Sequence, residues 1–171
     1  MHLVLDPFAE CRVRVKHVLI LGLGNPLLGD EGIGVRVVGA LRELELPDGV
    51  ELADGGTSGL GLISLMEGYR RVIIVDAADM DRLPGCVVRF TPSEAQFKTE
   101  QTPLSLHQMG LVEALALAEA LKVAPAEVVI IGIQPGRIEG VVGLNPKVEG
   151  AIPQVIRMVL DELDAWRGSG E

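Results

Sequence analysis

The stretch Val18-Leu19-Ile20-Leu21-Gly22-Leu23-Gly24-Asn25-Pro26-Leu27-Leu28-Gly29-Asp30-Glu31-Gly32-Ile33-Gly34 decides the fold. A continuous apolar run is the pattern of a strand buried on both faces, as in parallel sheets covered by helices. It ends in a glycine-rich turn that hands two adjacent carboxylates to the start of a helix. Such a turn lies at the carboxyl end of its strand, where open α/β sheets place their ligands. Acidic residues there repel phosphate, so the turn reads as a site for a cation rather than a nucleotide.

Outward from this turn, the spacing predicts a helix over 31–43, with Ile33, Val37, Val38, Leu41 and Leu44 on its apolar face. Further strands are expected at Val50–Ala53, Val72–Val75, Gly85–Phe90 and Val128–Ile133, the fourth of these (Val128–Ile133) also a buried apolar run. The short loop before Gly85–Phe90 suggests an antiparallel strand. A short helix carrying Leu60, Ile63 and Leu65 follows the second strand. Ser105-Leu106-His107-Gln108 fits a capping box, with Ser105 as N-cap of a helix running through Leu111, Leu115 and Ala118 to Leu121. A last helix starts at Asn145, with Pro146 in its first position. It carries Val148, Ile152, Ile156, Val159 and Leu163, and Pro153 should kink or interrupt it. Alternating strands and helices imply an α/β protein, a three-layer α/β/α sandwich with a mostly parallel sheet and one antiparallel strand.

The 171 residues suit a single domain, 1–171. Residues 1–15 read as an N-terminal extension, with Arg12–Val15 a candidate edge strand, and 16–166 as the core. The net charge of −9 opposes nucleic-acid binding, which needs clustered Lys and Arg. No apolar run reaches the roughly 20 residues that span a bilayer. Asp6, Pro7 and Glu10 interrupt any leader-like segment, so a cytoplasmic protein without membrane insertion is expected. Cys11 and Cys86 are far apart and form no CxxC motif, which fits free thiols better than a zinc site. Cys86 opens a strand pattern and makes a poor candidate nucleophile.

Three chemistry-bearing residues occupy comparable places: Glu31 after the first strand, Asp76 at the end of the third, and His107 at a helix start. Two carboxylates and an imidazole suit a borderline divalent cation such as nickel, zinc or cobalt. A position near a helix N-terminus disfavours imidazolium, keeping His107 in the neutral form that ligates metal. Asp30 is the better N-cap, which leaves Glu31 to act elsewhere. His2 and His17 belong to the less organised N-terminal region. Asp54, before Gly55-Gly56-Thr57, is a fourth candidate, and a turn cap is its alternative role. Leu27 replaces the third glycine of a dinucleotide fingerprint, and Leu60 breaks a GxSxG frame. There is no GKS, GKT or HExxH motif.

Five motifs in order then resemble the [NiFe]-hydrogenase maturation endopeptidases: GLGNPLLGDEGIGVRVV at 22–38, DGGTSGLGL at 54–62, VDAAD at 75–79, LHQMGLVEAL at 106–115 and GLNPKVEGAIPQVI at 143–156. The resemblance covers about residues 18–165. It implies an aspartic-type endopeptidase that removes the C-terminal extension of a [NiFe]-hydrogenase large-subunit precursor after nickel insertion. It also implies Glu31, Asp76 and His107 as metal contacts and Asp54 as a catalytic residue. The nickel would come with the substrate, with no tightly bound cofactor of the enzyme's own, and a monomer is expected. Asp30-Glu31 replaces the family's frequent Asp-Asp pair, and residues 1–15 exceed its usual N-terminus. Peptidyl-tRNA hydrolase shares a GLGNP-like turn, but no histidine occurs between His17 and His107 and the acidic balance opposes RNA. The alternative outside enzymes is a nickel-dependent docking or chaperone module for the same precursor.

Overall fold

The computed structural model describes residues 16–57, 59–95, 110–136 and 138–168. Arg12–Val15, Cys11, the Ser105–Gln108 capping box and His107 lie outside them. Five strands form one sheet: β1 (Lys16–Leu23), β2 (Val50–Gly56), β3 (Tyr69–Ala77), β4 (Val87–Phe90) and β5 (Glu127–Ile133). Their spatial order is β2-β1-β3-β5-β4, parallel throughout except for β4 against β5. The antiparallel strand is present as expected. Its partner is β5 rather than its sequence neighbour β3, because β5 already occupies the edge of β3.

Helices α1 (Ile33–Leu41), α2 (Gly59–Met66), α3 (Leu111–Ala120), α4 (Pro146–Glu149) and α5 (Ile152–Gly168) complete the layers. The two-residue side-chain period of β1 and β3 splits the core in two. Ile20, Ile73 and Val75 pack with Val37, Leu41, Val155 and Val159 of α1 and α5. Leu19, Leu21, Val72 and Ile74 pack with Leu62, Met66 and Leu115 of α2 and α3. Among the described residues no helix is long and apolar enough to cross a membrane.

Several element ends differ from the sequence reading. A 3-10 turn, Gly29–Gly32, precedes α1 and takes up Asp30 and Glu31. Leu44 falls beyond α1 and is 43% exposed. In α2 the buried face is Leu62 and Met66, four residues apart, while Leu60 faces out. Helix α3 opens at Leu111, with Gly110 extended (φ −81°, ψ −177°) at its N-cap, and the expected start at Ser105 lies outside the described residues. Asn145 caps α4 as expected, accepting from Lys147 N at 3.0 Å. The chain then breaks at Gly150-Ala151, and Pro153 falls in the first turn of α5, where its missing N–H costs nothing. The buried stripe of α5 is Val155, Val159, Leu163 and Trp166, while Ile152 and Ile156 are half-buried beside it. Arg71 of β3 secures its far end, donating to Trp166 O at 2.8 Å and lying over the Trp166 ring.

Candidate active site

Strands β1 and β3 are neighbours, yet the chain leaves β1 towards β2 on one side and leaves β3 towards β5 on the other. Their carboxyl ends therefore flank the topological switch point, the crevice where doubly wound sheets bind ligands. Gly24 turns the chain out of β1 at φ +112°, and a side chain there would collide with the Glu31 carbonyl. Its N–H donates to Gly56 O at 3.0 Å, joining the turns after β1 and β2.

The 3-10 turn separates the two carboxylates. With three residues per turn, consecutive side chains diverge by about 120°. Asp30 is fully buried and accepts from Gly136 N at 2.8 Å and Asn145 N at 2.6 Å. It caps no helix, contrary to expectation, because its carboxylate is turned away to hold the 136–145 segment against the turn. Replacing it with Ala removes the charged acceptor of two part-buried N–H donors. Asp30→Ala should lower stability by about 2–4 kcal/mol, read as a fall in urea midpoint at unchanged m-value.

Glu31 points the other way. A cleft of about 220 Å³ is lined by Leu23, Gly24, Glu31, Thr57, Asp76 and Gly110, among others. Glu31 Oε2 is buried there with no hydrogen-bond partner among the described residues, a costly state for a carboxylate oxygen. Burial pushes the Asp76 carboxyl from 3.8 up to about 7. The Ala77 N–H works against that shift, and the nearby charge of Glu31 adds to it. Two acidic groups thus face one small cavity, one without a partner among the described residues and the other only half ionised near pH 7. A divalent cation would relieve both strains, since it needs oxygen donors and favours the ionised forms.

The structure brings Glu31 and Asp76 together. His107 lies outside the described residues, and among the described ones no three His, Cys, Asp or Glu side chains gather to hold a metal ion. Asp54 is exposed at the end of β2, where its Oδ1 accepts from Gly56 N at 2.9 Å. It does not itself line the cleft but supports Gly56, which does. Cys86 is a half-buried free thiol that does not line this cleft. Thr57 and Gly110, which lie in the DGGTSGLGL and LHQMGLVEAL motifs but carry no charge to single them out, also line the cleft.

The hydrogenase maturation protease family, HycI, matches residues 35–162. The chain belongs to this family. The hydrogenase expression/formation protein HupD of Rhodobacter capsulatus is 38% identical over 153 residues, 88% of this chain and 73% of that protein. The hydrogenase 2 maturation protease of Escherichia coli K12 is 37% identical over 150 residues, covering 85% and 90%. Among solved structures, the hydrogenase maturating endopeptidase HybD from E. coli superposes with a TM-score of 0.74 at 36% identity, covering 90% and 94%. The [NiFe] hydrogenase maturation protease HybD from Thermococcus kodakarensis gives 0.67 at 31%, covering 85% and 97%. This maturation protease is therefore a peptidase, with the α/β/α fold expected of it.

Proposed function

We propose that this peptidase removes the C-terminal extension of a [NiFe]-hydrogenase large-subunit precursor once nickel has been inserted, and that it recognises the substrate's nickel. The observation that carries this reading is the buried Glu31 oxygen, unpartnered among the described residues, beside the buried Asp76 at the sheet's switch point. Two carboxylates leave coordination positions open for a cation that arrives with thiolate ligands of its own. His107 is the proposed third contact. It precedes Gly110 by three residues, and Gly110 lines the cleft. Bound there, nickel would supply Lewis acidity towards the scissile carbonyl or a water. An empty precursor would meet two unpaired carboxylates instead, which is the proposed test of loading. A precursor assembled inside the cell requires the enzyme to work in the cytoplasm, and it would act as a monomer.

Intact-mass spectrometry of nickel-loaded and nickel-free precursor tests the reading. Loss of the extension from the loaded form alone is expected. Equal cleavage of both forms, or of neither, contradicts it.

Asp54 is proposed as the assisting general base, and two substitutions separate that role from turn support. Asp54→Asn keeps an acceptor for Gly56 N, whereas Asp54→Ala does not. A base predicts that both variants lose processing, by about 100-fold or more. If Asn retains wild-type rate and only Ala fails, Asp54 serves the turn alone.

A further inference from the structure

Asp30 and Glu31 are neighbours in one 3-10 turn, and their side chains leave it about 120° apart. On one side the turn is pressed against the 24–26 loop. The Glu31 carbonyl oxygen fills the space that a Cβ at Gly24 would need, and a Cβ at Gly32 would come within 2.5 Å of Pro26 Cα. On the other side it is gripped by the segment 136–145. Gly29 N donates to Val141 O at 2.8 Å. Asp30 Oδ2 and Oδ1 accept from Gly136 N at 2.8 Å and Asn145 N at 2.6 Å. One carboxylate thus pins both ends of the segment, and the turn's backbone pins Val141 between them. These are charge-assisted bonds, the stronger kind. Ile138, Val141 and Val142 are exposed, so apolar burial gives the segment little support of its own.

Glu31 is under the opposite pull. Its Oε2 is buried with no partner among the described residues, and the Asp76 carboxylate in the same cleft repels it. Without metal, the chain would gain by turning Glu31 towards water. The two side chains share one turn, so a swing of that turn that hydrated Glu31 would pull Asp30 off both N–H groups.

We propose that Asp30 is a positioning residue: its hydrogen bonds to the 136–145 segment hold the Glu31 carboxylate aimed into the cleft, at the expense of stability in the metal-free fold. The role rests on the proposed function, in which Glu31 is a nickel contact. A carboxylate already stripped of water and aimed meets the arriving cation without reorganisation, whereas a solvated one must first be dehydrated and turned.

The test is urea unfolding of the metal-free protein at pH 8, in a double-mutant cycle of Glu31→Gln with Asp30→Ala. A second cycle uses Asp30→Asn, which keeps the side-chain volume and one acceptor oxygen, and so carries the test if Asp30→Ala does not fold. With Asp30 present, Glu31→Gln should raise the midpoint by about 0.5 M or more, since an amide costs less to bury than a carboxylate. With Asp30→Ala the same change should leave the midpoint where it is, because Glu31 is already hydrated, and with Asp30→Asn the gain should be smaller than in the wild type. A merely structural Asp30 gives the same Glu31→Gln shift in every background. That result, or no gain in the wild type, overturns the assignment. Folded Asp30→Asn should also process nickel-loaded precursor with kcat/KM lowered by about 10–100-fold, and unimpaired processing would overturn the role as well. A wild type that leaves loaded precursor uncut overturns the proposed function instead, and the unfolding cycle still decides whether Asp30 holds Glu31.

Discussion

Asp76→Asn should abolish precursor processing while making the metal-free protein more stable above pH 7. Loss of a group that only supports a ligand through a hydrogen bond commonly costs 10–100-fold. Removal of a proposed nickel contact should therefore exceed about 100-fold, and Glu31→Gln should do the same. The stability change has the opposite sign and follows from the same burial. The Asp76 carboxyl titrates at about 7 in the folded chain, against 3.8 ordinarily. Between those values the folded protein binds the proton that the unfolded chain has released. Stability from this group is therefore greatest below about pH 4, falls as pH rises towards 7, and stays low beyond. The penalty at pH 8 is up to about 4 kcal/mol, and an uncharged Asn removes it. Urea unfolding of metal-free wild type and variant checks the sign. The two should agree near pH 4, and the variant should be more resistant at pH 8. A variant less stable at pH 8 would show that Asp76 is a structural carboxylate rather than a strained functional one.

Gly34→Ala should prevent the protein from folding stably, although Ala is the better helix former. Its Cβ would fall onto the carbonyl oxygens of Val75 and Leu23 and the Leu23 amide nitrogen, all backbone atoms with no rotamer to adopt. Helix α1 could then no longer pack against the ends of β1 and β3. That is a cost of about 4 kcal/mol or more, against a typical domain stability of 5–15 kcal/mol. Gly39→Ala, five residues later in the same helix, is the matched control. A Cβ there meets nothing within 4 Å, so it should gain about 0.5–1 kcal/mol from helix propensity alone. Thermal unfolding followed by circular dichroism separates the two: a cooperative transition raised for Gly39→Ala, and lost or sharply lowered for Gly34→Ala.

The buried run ending in Gly22-Leu23-Gly24 identified β1, its turn and the carboxylates beyond it, because strand burial and turn chemistry are local properties. Glu31 and Asp76 could be paired from sequence since each ends a segment at the same edge of a parallel sheet. The role of Asp30 was not legible in the same way. Its partners, Gly136 and Asn145, are more than 100 residues away and present only backbone N–H groups. Nothing in their side chains announces the contact. Likewise the sequence pattern places Gly110 inside a helix begun at Ser105, whereas its backbone is extended at the N-cap of α3. The face of α2 was misread at Leu60 because a nearly all-apolar segment, Gly59–Met66, has too weak a polar side to fix its rotation. Gln134 Oε1 accepts from Met80 N and Arg82 N, joining two loops that only the folded sheet brings together.

Nickel K-edge X-ray absorption offers the most direct test of the central claim. The sample is wild-type enzyme mixed with nickel-loaded precursor and frozen before turnover. We predict at least one oxygen or nitrogen neighbour of nickel beyond those in the precursor alone, absent when Glu31→Gln and Asp76→Asn are combined. A nickel environment unchanged by the wild-type enzyme would contradict the account.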